Sequence, residues 1–197
     1  MIFSDIANIF LIIINKVSWH NIAYSRKLSE RFIEKYSDNL SWPDISGCQE
    51  LSESFIEKWS NKVDFTIISY SQKLSEPFID KYSDELNWYY ICQSQKLSEP
   101  FMEKWSEKIN WTLISRYQVL TEEFIGRNKK KLFWEYISEY QELSEPFIEK
   151  YSIRVHWGHI AANQKLSTEF IYKHGDKLEI DLLLKNDKID KNILFDL

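Results

Sequence analysis

The sequence predicts an all-α fold, an α-solenoid of about eight 23-residue helical hairpins with atypical copies at both ends. Three observations predict it: a motif recurring at a fixed distance, helical spacing of apolar residues inside each copy, and a scarcity of turn formers. Glycine and proline number four each in 197 residues, too few for the many special turns of a hairpin-rich β fold. Leucine opens each copy at Leu28, Leu51, Leu74, Leu97, Leu120, Leu143 and Leu166, in steps of 23 residues without insertion or deletion. A hydroxyl residue follows (Ser29, Ser52, Ser75, Ser98, Thr121, Ser144, Ser167), and then phenylalanine from Phe32 to Phe170. An aromatic recurs at Trp42, Phe65, Trp88, Trp111, Trp134 and Trp157, isoleucine three places later, and glutamine from Gln49 to Gln164. A period of this size is the signature of stacked supersecondary units, each unable to bury its apolar side alone.

Residues 1–27 read as a degenerate N-terminal capping copy, because Trp19 and Ile22 fall in register ahead of Leu28. Its apolar run, Ile9 to Ile14, is expected to cap or insert into the stack. Six residues fall far short of the ~20 that a spanning helix needs. With Asp5 as first charge and no small-residue cleavage site, the N-terminus reads as retained and the chain as cytoplasmic, with no membrane partner.

Residues 28–184 read as seven tandem repeats, the last degenerate, with Ile180 and Leu183 in the tryptophan and isoleucine places. Within a repeat, Phe78, Tyr82 and Leu86 lie four apart, a helical stripe. Ser75 is placed to cap it, Glu76 complements the positive helix end, and Pro77 sits in the first turn, where its missing N–H costs little. The first helix is therefore predicted over 76–86 and the second over 88–95. Asn87 is predicted to cap the second helix, as are Ser18, Ser41, Asp64 and Asn110 in other copies. Phe133 and His156 break that rule and predict frayed starts. Gly126 replaces an acidic residue and predicts a weak or early-ending first helix, making 124–133 the clearest departure from the scaffold. Residues 185–197 read as a polar C-terminal tail closing the far end.

Cys48 and Cys92 form no disulfide framework and belong to no CxxC pair, which suits idle or buried thiols in a reducing compartment. The formal charge of −5 gives no general attraction to phosphates. A catalytic site needs unlike groups gathered once, whereas this chain repeats the same groups, so no catalytic residue is assigned and no enzyme is expected. His156 and His159 share a helix face, and His174 belongs to the next copy, but no third ligand is evident, and neither a metal nor a cofactor is expected. The recurring glutamines read as scaffold, each hydrogen-bonded to a turn of the neighbouring copy.

Two surfaces remain. On the second helix the variable positions carry Tyr70, Tyr89, Tyr90, Arg116, Tyr117, Tyr136, Glu139 and Tyr140, and tyrosine and arginine are the residues that anchor protein interfaces. These eight are the candidate partner-binding residues. Arg127, Lys129, Lys130 and Lys131 form a candidate basic patch that would suit a nucleic-acid role, the less favoured alternative beside nucleic-acid mimicry by an acidic face.

The unit L-S-E-x-F-I-E-K-Y-S-D-x-L-N-W-x-x-I-S-x-x-Q-K, from Leu74 onward, resembles a helical repeat of giant DNA viruses, bacteriophages and some bacteria. The resemblance covers nearly the whole chain and is carried by the L-S-E-x-F-I and W-x-x-I-S pieces. It implies a helical repeat protein of viral or mobile-element origin and brings no catalytic residues. It further implies a virus- or phage-encoded inhibitor or adaptor meeting a host factor, such as a defence protein, in the host cytosol.

Overall fold

The computed structural model describes residues 7, 9–11 and 18–191, and among them there is helix and turn but no strand. The fold is an α-solenoid: helix pairs follow one another along the chain and, within each of its two units, pack in succession. Two compact units meet in sequence between Lys96 and Leu97, so the division falls where one copy ends and another begins.

Each copy opens with a six-residue helix. These are Glu30–Lys35, Glu53–Lys58 and Glu76–Lys81 in the first unit, then Glu99–Lys104, Glu122–Arg127, Glu145–Lys150 and Thr168–Lys173 in the second. The hydroxyl residue before each accepts the backbone N–H of the phenylalanine three residues on, as Ser75 does from Phe78 and Thr121 from Phe124. One of the four unpaired N–H groups of the helix start is thereby satisfied.

The first helix stops at Lys81 instead of continuing to Leu86. Tyr82 leaves the helical region at φ −106°, ψ 29°. Its ring packs against Phe78 and against Phe65 of the preceding second helix, with centroids 4.7 and 5.2 Å away. The chain then turns, and Leu86 is buried by that turn rather than by a helix. The carbonyl of Ser83, freed by the turn, accepts the indole N–H of Trp88 at 2.8 Å.

The second helices have seven residues: Trp19–Ser25, Trp42–Cys48, Phe65–Ser71 and Trp88–Ser94, then Trp111–Tyr117, Trp134–Tyr140 and Trp157–Asn163. A six-residue helix, Ile180–Lys185, holds the corresponding place at the end. Within each unit they pack side by side in succession. Ile22, Ile45, Ile68 and Ile91 in one unit and Ile114, Ile137 and Ile160 in the other are fully buried beneath them, alongside the buried phenylalanines. Helices of two turns are marginal in water, so this burial, at ~1.5–3 kcal/mol per large side chain, makes them persist.

Polar groups lock successive copies together. The Gln72 carboxamide donates to the carbonyls of Ser46 and Gln49 and accepts the N–H of Leu51. Gln49, Gln95, Gln141 and Gln164 repeat this three-bond grip on the copy before them. The predicted glutamine scaffold is thus present, reaching further back than a single turn. At the C-terminal end Asn186 takes the role, donating to Ala161 and Gln164 and accepting from Lys188. The predicted polar tail therefore begins inside a helix and contains two buried residues, Asn186 and Ile189; residues 192–197 lie outside the described range.

Several local expectations are corrected. The helices after Phe133 and His156 begin in register rather than fraying. The backbone N–H of each is bonded at 2.9 Å to a buried serine hydroxyl of the preceding copy, Ser115 and Ser138 respectively. His156 also caps through Nδ1, which accepts from the N–H of His159. Ser41 stands at a helix start without a side-chain cap bond, and nothing in the structure explains it, since Ser75 caps with a proline in the same place. The helix containing Gly126 has its full six residues. A Cβ at Gly126 would come within 3.1 Å of the Tyr151 hydroxyl, the tightest contact at this place. At the N-terminus Ile9 packs on the core, whereas Ile12 to Ile14 lie outside the described residues. Cys92 is buried in a place that four other copies give to serine and two, at Ala23 and Ala161, to alanine, and Cys48 is exposed.

Candidate functional site

Side-by-side second helices leave one side of each helix in solvent, and the eight candidate partner-binding residues all occur on these helices. The structure sorts them into two clusters. In the first unit Tyr70 and Tyr89 are 46% and 53% exposed, and Tyr90 is half-buried between them. The Tyr90 ring lies 4.9 Å from that of Tyr70 and meets Tyr89 edge-on at 5.4 Å.

The second cluster is built around a cation. The exposed guanidinium of Arg116 lies 5.2 Å from the Tyr117 ring and 5.4 Å from each of Tyr136 and Tyr140. Electrostatic attraction to ring faces of this kind is worth ~0.5–1 kcal/mol at an exposed site. Tyr117 leads the groups that hold Arg116 more firmly protonated than usual, followed by Tyr140. Among the described residues Arg116 forms no ion pair. The neighbouring half-buried Glu139 is instead the main reason the Tyr140 phenol is pushed above its ordinary range.

Two members escaped sequence reasoning. Phe133 is 44% exposed and packs 5.0 Å from Tyr136. Its signal was an apolar residue in a capping place, read only as a defect. His159 brings Nε2 to 3.8 Å from Glu135 and 3.9 Å from Glu139, with the His156 ring 4.5 Å away. Tyr140 also borders an open groove of about 1180 Å³, shared with Val119, Glu142, Lys165 and Lys188. Rings, one stacked cation and flanking carboxylates suit recognition of a surface. Among the described residues no three histidine, cysteine or acidic side chains are arranged to hold a metal ion.

The basic run is divided between tasks. Arg127 bridges to Glu103 at 3.0 Å and to Glu123 at 2.5 Å, and the Glu103 hydrogen bond is the chief reason its guanidinium is held above its usual range. Lys131 lies with Nζ 5.0 Å from the centre of Trp111. Lys62 over Trp42, Arg154 over Trp134 and Lys177 over Trp157 occupy the same place, each 20 residues after its tryptophan. Lys129 and Lys130 are exposed in the turn between these elements.

Among the described residues no helix is long and apolar enough to cross a membrane. Compared with protein families, curated proteins and solved structures, the chain matches none.

Proposed function

We propose that this chain is a non-enzymatic helical-repeat protein that binds another protein through the exposed side of its second helices. The observation that carries the reading is Arg116, an exposed cation stacked on three tyrosine rings and unpaired with any carboxylate among the described residues. A side chain ordered before binding loses less freedom on association, and exposed tyrosine and arginine are the usual anchors of protein interfaces. The tyrosines of the first unit offer a second aromatic patch of the same kind. The resemblance of the repeat to viral and phage proteins supports a host factor as partner and an inhibitor or adaptor as role. The nucleic-acid alternative draws less support, since two of its four cations are engaged by the protein's own carboxylates and indole.

The test is a partner isolated on the full chain and then measured by calorimetry against Arg116→Ala combined with Tyr117→Ala and Tyr140→Ala. The expected result is unchanged helical circular dichroism with affinity reduced at least about a hundredfold, as truncation of anchors produces. Full affinity in the triple variant sinks the reading. Binding that follows nucleic acid and weakens steeply with salt would favour the alternative.

A further inference from the structure

Along the outer side of the first helices the scaffold builds a ladder of ion pairs between copies. Glu34 meets Lys58 at 2.7 Å, Glu57 meets Lys81 at 2.8 Å, Glu103 meets Arg127 at 3.0 Å and Glu149 meets Lys173 at 2.8 Å, each cation lying 24 residues after its carboxylate. At one rung the carboxylate is missing: Gly126 stands 24 residues before Lys150. Lys150 forms no ion pair among the described residues, its Nζ lying 5.4 Å from the Tyr151 ring centre.

The same copy carries a second substitution. Position 128 is asparagine, where the other copies have Tyr36, Trp59, Tyr82, Trp105, Tyr151 and His174. Beside Gly126 lies an open hollow of about 410 Å³, lined also by Lys150, Tyr151 and Phe147 among others. Tyr151 is only 8% exposed, and its hydroxyl, 3.1 Å from where a Gly126 Cβ would stand, makes no hydrogen bond among the described residues. Two acidic residues at the rim are already committed. Glu122 accepts the N–H of Ser144, and Glu123 is paired with Arg127.

We propose that the hollow at Gly126 is a socket for an aspartate or glutamate side chain of a protein partner, received by the Lys150 ammonium and the Tyr151 hydroxyl. The intact rungs of the ladder define the chemistry of the occupant: a carboxylate at charge-assisted hydrogen-bond distance from a cation. The proposal rests on the reading that the chain binds protein, and it adds a contact on the first helices, made by residues distinct from the tyrosine clusters of the second helices.

The test is a ¹H–¹⁵N NMR titration of the full chain with N-acetyl-Ala-Glu-Ala-amide, with N-acetyl-Ala-Gln-Ala-amide, and with inorganic phosphate. The glutamate peptide is expected to move the Gly126, Lys150 and Tyr151 amide resonances, and the glutamine peptide to leave them in place. Tyr151→Phe, which keeps the ring, and Lys150→Gln should each abolish the response. Gly126→Glu should abolish it by supplying the missing rung from within; because its Cβ crowds Tyr151, the other two variants carry the test if it fails to fold. Equal shifts with both peptides, or an undiminished response in Tyr151→Phe and Lys150→Gln, overturn the proposal. Phosphate acting as strongly as the glutamate peptide would make the hollow a general anion site and overturn it too. None of these readouts involves Arg116, so the socket can fail while the tyrosine face stands, and the reverse.

Discussion

The buried and exposed sides of the second helices follow opposite rules, though only a few residues separate them. On the buried side Ile137, Ser138 and Gln141 repeat what Ile68, Ser69 and Gln72 do in the other unit. On the exposed side the corresponding places vary among the copies, and in the second unit they gather around Arg116. The buried side must satisfy fixed backbone groups of a neighbouring copy, which a side-chain carboxamide does at each described grip. No such demand acts on the exposed side, which is free to carry recognition. Constancy within this chain therefore marks structure, and variation marks the surface available to partners.

The hardest test of this contrast removes a glutamine. Gln141→Ala leaves the carbonyls of Ser115 and Gln118 and the N–H of Leu120 without their partner in a buried place. At ~1–3 kcal/mol per orphaned group, a loss of about 3 kcal/mol or more is expected in urea unfolding followed by circular dichroism. A loss below about 1 kcal/mol would show that water serves those groups and that the grip is dispensable. Ser138→Ala comes next. It deletes the acceptor of the His156 N–H, and about 1–2 kcal/mol should go, with faster hydrogen exchange at the His156 amide.

On the other side of the same helix Tyr140→Ala should change stability by no more than about 0.5 kcal/mol, as exposed substitutions do, while weakening the partner complex. If Tyr140→Ala costs as much as Ser138→Ala, the ring is core and the contrast collapses. The smallest effect belongs to the ion-pair ladder. Lys173, and after it His174, hold the Glu149 carboxyl below its ordinary range. A carboxylate depressed in the folded state stabilises above its unfolded pKa, and that stabilisation disappears as pH falls through the folded value. Wild type should therefore exceed Glu149→Gln slightly in thermal stability at neutral pH, and the difference should vanish in acid. The gap should also narrow in high salt, as for any exposed pair.

Much of this architecture was legible because a repeat states its own rules many times over. The fixed period, the capping hydroxyls and the glutamine ladder all followed from residue type and spacing. What escaped was the part decided by contacts 17 to 25 residues away. Nothing local to Phe133 announces that its N–H is held by Ser115, so a missing cap read as a frayed start. Glu53 looked like a helix-dipole residue, yet it also accepts the Ser75 N–H of the next copy. The first helix was drawn too long because Leu86 continues the period of four, while Tyr82 turns the chain toward Phe65. At the candidate site the tyrosines and Arg116 could be chosen from their variability, but their division into two clusters is a property of packing. Gly126 is the instructive case: its oddness was visible, but its close neighbour, the Tyr151 hydroxyl, lies a full copy downstream.

The carboxamide grip points one way. Within each unit every glutamine whose three bonds are described above holds residues 21 to 26 places earlier in the chain. A nascent polypeptide leaving the ribosome therefore finishes each hairpin before the residue that fastens it has been synthesised. Within a unit each completed segment is sealed by one that emerges later, and among the described residues Asn186 is the last such latch.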